Sequence, residues 1–220
     1  VCIIDINPKT PEVAKEFCDR GFTCHSVIAN LGDAESLKNG FEDAVKSLGG
    51  HLDIIVNGAG VQKRHPSEEF PYEDWEFVLN INLNAVFRLC QLAGKQFMAQ
   101  GSKGKIINIA SMLSFFGGFT VPAYAASKGG VAQLTKALCN EWAGKGINVN
   151  ALAPGYMDTE MNTALTDPSN PRFKEITDRI PAHVWGTPED MKGPCVFLAS
   201  AASDYLNGAI IPVDGGYLVK

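Results

Sequence analysis

Residues 105–128 read KIINIASMLSFFGGFTVPAYAASK, and the change of period inside this stretch decides the fold. Lys105–Ala110 is a short isoleucine-rich run of the kind that is buried on both faces of a parallel sheet. Small and polar residues then break it, with Gly117-Gly118 as a turn signal. From Tyr124 to Trp142 the apolar residues return at helical spacing. Ala125, Ala126, Gly129 and Gly130 give this helix a small-residue face that admits close packing. Strand, loop and long helix make half of a βαβ unit.

Working outward, the same rhythm repeats. Strands are expected at residues 1–6 (VCIIDI), 22–28, 52–57 (LDIIVN), 147–152 and 209–213. Helices are expected at 11–20 (stopped by Gly21), 34–48, 71–100 with a kink near Asn80–Asn84, and 188–199. A polar, proline-containing loop, Thr166–Pro171, separates the last two strands. The pattern predicts one α/β domain over residues 1–220, a Rossmann-like doubly wound parallel sheet in a three-layer sandwich.

The formal charge of −5 argues against nucleic acid or an acidic membrane surface as partner, since both select clustered Lys and Arg. No apolar run has the length of a membrane span, and no signal peptide is visible. The 6 cysteines are irregularly spaced without a C-x-x-C pair, which predicts reduced thiols in the cytoplasm. His25, His51 and His183 lack metal-ligand spacing, so no metal site is expected.

Tyr124 and Lys128 stand four apart on a helix and project from one face. A phenol titrates near ~10 in water, and a nearby ammonium lowers that value by favouring phenolate. The pair therefore suits a general acid/base, although many solvated helices carry the same spacing. Ser111 lies just past a strand's carboxyl end, where parallel sheets bind ligands. Its hydroxyl is placed to donate to a substrate oxygen; an ordinary turn serine is the other reading. Asn82, inside NINLNAVF, is locally unfavourable in a helix and would suit a kink that orders water toward Lys128. Asn80 and Asn84 compete with it, and position alone does not choose.

Asn57, Ala59 and Gly60 after a strand, Asn82, Ser111, Tyr124 with Lys128, and Pro154-Gly155 occur in that order along essentially the whole chain. This series resembles the classical short-chain dehydrogenase/reductase family. The resemblance implies an oxidoreductase with Tyr124 as acid/base, Lys128 as ribose anchor, Ser111 as substrate orienter and Asn82 as relay. It implies cofactor contacts from Asn57, Ala59 and Gly60 beside the adenosine ribose. Pro154, Gly155, Met157 and Thr159 would cover the nicotinamide. Asp5, ending the first strand, would accept hydrogen bonds from the ribose hydroxyls; its charge opposes a 2′-phosphate, so NAD is the expected cofactor. A strand-end aspartate capping a turn is the competing reading. Asn30-Leu31 stands where relatives usually carry Asp-Leu or Asp-Val against the adenine.

Stretches such as RIPAHVWGTPED are similar to the branch of the family that acts on deoxy-sugar acids such as 2-deoxy-D-gluconate. A sugar carboxylate needs a cation, and Lys63, Arg64 and His65 follow the Asn57–Gly60 turn; a solvated loop is the other reading. Val184 and Gly58 depart from the branch's usual arginine and asparagine. The resemblance also implies a homo-oligomer, dimer or tetramer, pairing helices 72–100 and 124–142. Rival readings are an NADPH-dependent carbonyl or 3-oxoacyl reductase, and a truncated, non-catalytic member that acts in subunit association.

Family members open with a strand and a T-G-x-x-x-G-I-G loop that cradles the pyrophosphate at a helix N-terminus. Neither is found here, and Val1 already lies in an apolar strand, like a cut end. The absent strand would be central, between VCIIDI and LDIIVN, and a chain without the loop is expected to hold NAD weakly.

Overall fold

Alternate residues of two neighbouring strands face opposite ways and build separate cores. In the computed structural model, which describes residues 1–167 and 169–220, these strands are β4 (Gly104–Ile109) and β5 (Ile147–Pro154). The side chains of Met161 and Ala164 also lie outside the described set. Ile106, Ile147, Val149 and Ala151 pack against helices α2 (Ala34–Ser47), α4 (Ala85–Gln100) and α5 (Pro122–Trp142) through Phe41, Leu89, Phe97 and Val131. Ile107 and Leu152 point the other way, onto Leu198 of α8 (Lys192–Ala199). Helix, sheet, helix is the predicted sandwich.

Every strand pairing is parallel. β1 (Cys2–Asp5) pairs with β2 (His25–Ile28), and α1 (Thr10–Asp19) crosses between them. The other strands run in the order β3 (Ile54–Asn57), β4, β5, β6 (Ile210–Val213). Among the described residues no strand joins β1 to β3, and the strands form two sheets. On β3, Ile54 and Val56 are exposed while Ile55 packs on the larger core.

The expected kink has a defined form. α3 (Tyr72–Leu79) leads into a π-turn over Asn80–Asn84, where the Ala85 N–H donates to the Asn80 carbonyl, and α4 continues from there. The helix expected at 188–199 starts as a 3₁₀ turn, Pro188–Met191, before α8. Between β5 and β6 the structure has two helices that the sequence reading did not expect, α6 (Thr163–Thr166) and α7 (Pro171–Arg179). Asn170 caps α7 by accepting from the Arg172 N–H at 2.9 Å, and Pro171 stands at a helix start that needs no donor. In the sequence reading this Asn-Pro pair belongs to the Thr166–Pro171 loop. Pro168, within the expected loop, lies outside the described residues.

α4 meets β4 across Gly104, where an added Cβ would lie 2.3 Å from the ring of the fully buried Phe97. Gly104→Ala is expected to destabilise the protein by about 1–3 kcal/mol through overpacking. Thermal denaturation checks it, with a Tm fall of several degrees expected for a domain of this size. An unchanged Tm would show that the sheet and α4 separate freely.

Candidate active site

The carboxyl ends of β4 and β5 open onto a cleft of about 330 Å³ that holds Ser111, Tyr124 and Lys128 together. Ser111 is in extended backbone and caps the 3₁₀ turn Met112–Ser114. Its Oγ accepts from the Leu113 N–H at 3.1 Å, and its own N–H donates to Ser114 Oγ at 3.2 Å. Ser114 Oγ in turn donates to the Lys128 carbonyl at 2.7 Å, which ties this loop to α5. The serine is thus held against the helix that carries the tyrosine and lysine.

Lys128 is 3% exposed, and its Nζ donates to the Ile109 carbonyl at 2.6 Å. Burial lowers its pKa to about 8, because the charged form has lost its water. The Nζ lies 5.7 Å from the centroid of the Tyr124 ring. The sequence predicted that this ammonium would lower the phenol pKa. In the structure the Tyr124 phenol stands above its ordinary value, pushed up by burial. The groups that pull it back are the Ser111 hydroxyl and the Arg64 guanidinium, while the Lys128 ammonium is directed to a backbone carbonyl.

The structure chooses among the asparagines. Asn82 is fully buried on the π-turn; its Nδ2 donates to the Val61 carbonyl at 2.9 Å and to Ser127 Oγ at 3.2 Å. Its Oδ1 accepts from the Val61 N–H at 2.8 Å. A Cβ built on Gly60 would lie 3.6 Å from Asn82 Oδ1 and 3.7 Å from Lys128 Nζ, so both groups flank the same backbone. Asn80 instead donates to the Gly32 carbonyl, and Asn84 is exposed.

The other candidates divide. Pro154, Gly155, Met157 and Thr159 line the cleft, as do Gly58 and Gly60. Ala59 is not part of its lining. Asn57 turns into the core, where its Nδ2 donates to Asn108 Oδ1 at 2.8 Å and its Oδ1 is buried without a partner among the described residues. At Gly155 an added Cβ would lie 2.6 Å from the Asp214 backbone, so this wall accepts no side chain. Asp5, Asn30 and Leu31 sit at the carboxyl ends of β1 and β2, apart from the cleft. Asp5 Oδ1 accepts from the Asn7 N–H at 2.8 Å, Asn30 Oδ1 from the Gly32 N–H at 2.9 Å, and Leu31 packs on the large core. Asp5 therefore does cap a turn through one carboxylate oxygen.

A second cavity, of about 200 Å³, shares Ser111 and Tyr124 and adds Arg64, Arg172, Tyr156 and Tyr217. Arg172 and the tyrosines belong to no motif and were missed in the sequence. Among the described residues no cluster of three or more His, Cys, Asp or Glu has the placement of a metal site.

A tyrosine, a serine and a buried lysine sharing one cleft at the carboxyl ends of a parallel sheet define an oxidoreductase of the Rossmann class. A family model described as enoyl-(acyl carrier protein) reductase matches residues 1–218. The chain is 49% identical to 2-dehydro-3-deoxy-D-gluconate 5-dehydrogenase of Escherichia coli (strain K12) over 219 residues, 99% of this chain and 86% of that one. It is 55% identical to the protein of the same name from Bacillus subtilis (strain 168) over 195 residues, 89% of this chain and 75% of the relative. The crystal structure of a gluconate 5-dehydrogenase from Burkholderia cenocepacia J2315 in complex with NADP and tartrate matches with a TM-score of 0.94 at 38% identity, covering 100% of this chain and 85% of that one. The chain belongs to the short-chain dehydrogenase/reductase family of NAD(P)-dependent oxidoreductases.

Proposed function

We propose that this protein is a dehydrogenase of a deoxy-sugar acid, interconverting a secondary alcohol and a ketone. The observation that carries the reading is the joint opening of Ser111, Tyr124 and Lys128 onto one cleft, beside a cavity whose Arg64 and Arg172 have no carboxylate partner among the described residues. The names of the relatives supply the substrate class.

NAD(P), when bound, takes or returns the hydride. The cleft fits its nicotinamide half: Gly58 leaves open space where a Cβ would stand, and Lys128 offers an ammonium beside Gly60. Lys128 would hold the adjoining ribose and Thr159 the carboxamide. Tyr124 Oη exchanges the proton of the substrate hydroxyl, giving it to the ketone oxygen in reduction and taking it back in oxidation. Ser111 Oγ donates to the same substrate oxygen and keeps it against the phenol. Asn82 acts through Val61 and Ser127, fixing the Gly60 wall against α5.

NAD is the favoured cofactor within this reading, because a 2′-phosphate at the end of β1 would meet the Asp5 carboxylate. The exposed Phe77, Phe87 and Met98 on α3 and α4 support a homo-oligomer paired through these helices. All six cysteines are free thiols, in keeping with a reducing cytoplasm. No helix of the described residues is long and apolar enough to cross a membrane.

The test is a panel of deoxy-sugar acids, sugar acids and neutral polyols, each assayed with NAD and with NADP. The highest kcat/KM is expected for a sugar acid with NAD. Preference for a 3-oxoacyl substrate with NADPH would replace this reading, and inactivity with every pair would favour the non-catalytic one.

A further inference from the structure

Lys63, Arg64 and His65 are consecutive, and the structure separates them. Lys63 Nζ lies 3.2 Å from Asp74 Oδ1 and His65 Nε2 lies 2.7 Å from Asp74 Oδ2. The His65 hydrogen bond and then Lys63 hold that carboxylate below its usual range. Arg64, between them, opens on the cavity that contains Ser111 and Tyr124. Arg172, in the first turn of α7, reaches the same cavity from the opposite end of the chain, placed there by the Asn170 cap. Glu175 and Arg179 line it further along α7.

Among the described residues neither Arg64 nor Arg172 has a carboxylate within ion-pair distance, although six lysines have found one. Burial, and next the charge of Arg172, lower the pKa of Arg64, so the two guanidinium groups feel each other. Glu175 lines the same cavity but is paired with neither guanidinium among the described residues, and an anion between two such like charges relieves their repulsion. The planar fork of arginine matches a carboxylate through two parallel hydrogen bonds.

We propose that Arg64 and Arg172 form an anion clamp for the carboxylate of the substrate, and that Arg172 sets the preference for a sugar acid over a neutral polyol. The proposal rests on the dehydrogenase reading of the adjoining Ser111–Tyr124 site. The two arginines divide the work. Arg64 acts electrically on the Tyr124 phenol, so its replacement would disturb the chemistry as well as binding. Arg172 is not among the groups that shift Tyr124, so its replacement reports recognition alone.

The experiment compares wild type, Arg172→Met and Arg172→Lys in two ways. Steady-state kinetics use 2-dehydro-3-deoxy-D-gluconate and the neutral polyol D-sorbitol, and calorimetry measures D-gluconate binding without turnover. In Arg172→Met, kcat/KM for the acid is expected to fall roughly 30-fold, as loss of a charge-assisted contact implies. The loss should appear in KM, with kcat and the sorbitol reaction within about twofold of wild type and partial recovery in Arg172→Lys. Gluconate binding should weaken in parallel. Equal losses on acid and polyol, unchanged gluconate binding in Arg172→Met, or no gluconate binding by wild type would each overturn the clamp. A wild type that binds gluconate through Arg172 but oxidises no sugar acid would leave the clamp standing and remove the dehydrogenase reading.

Discussion

Tyr124→Phe is expected to lower kcat by about 10²–10⁴, the usual contribution of a positioned general acid or base. The substitution keeps the ring and removes only the oxygen that Ser111 contacts in the cleft, so folding and gluconate binding should be preserved. The pH dependence adds a second signature. Burial holds the phenol pKa above its ordinary value, so the neutral phenol predominates at pH 7 and is ready to donate in ketone reduction. Alcohol oxidation needs the phenolate, so its rate should climb as pH rises, while reduction should fall. Tyr124→Phe should lose this opposed dependence along with the rate. Retention of more than a tenth of the wild-type kcat, or an unaltered pH profile, would remove Tyr124 from the proton path.

Lys128→Met is expected to abolish activity and yet to stabilise the fold. Lys128 is held at a pKa of about 8 by burial, against 10.5 in the unfolded chain. Below pH 8 both states are protonated, and the fold carries the whole penalty of a buried ammonium, on the order of 3 kcal/mol. Between about pH 8 and 10.5 the unfolded chain binds more protons than the folded one, so the wild type gains stability as pH rises through that window. Methionine fills similar space without charge, and loss of the hydrogen bond to the Ile109 carbonyl offsets part of the gain. At pH 7 a net stabilisation of about 1–3 kcal/mol is expected, shrinking as the pH approaches 10. Urea unfolding at the two pH values measures it. A less stable methionine variant would mean that the ammonium is held by favourable contacts rather than kept, at a cost in stability, for its chemistry.

The placement of this charge was legible in the sequence in outline and not in energy. The Tyr124–Lys128 spacing is a helix property, and α5 presents both residues to the cleft as the spacing requires. Burial is a tertiary property, and the burial of the Tyr124 phenol raises its pKa where the spacing alone predicted a fall. In the same way, asparagine-rich NINLNAVF announced a distortion of the helix. Which asparagine mattered depended on Val61 and Ser127, brought up from other elements.

What the sequence by itself determined is the parallel α/β sandwich, a kink of the long helix near Asn80–Asn84 and the chemical kit of Ser111, Tyr124 and Lys128. These follow from periods of two and 3.6 residues and from fixed spacings, all of which are local along the chain. Only the tertiary structure decided that Asn57 faces the core and that Asp74 takes Lys63 and His65 but leaves Arg64 to the cavity. It alone brought Arg172, more than a hundred positions away, to the same cavity. The physical reason is that a cation is paired or free according to the carboxylates near it in space, a quantity that local sequence order does not contain.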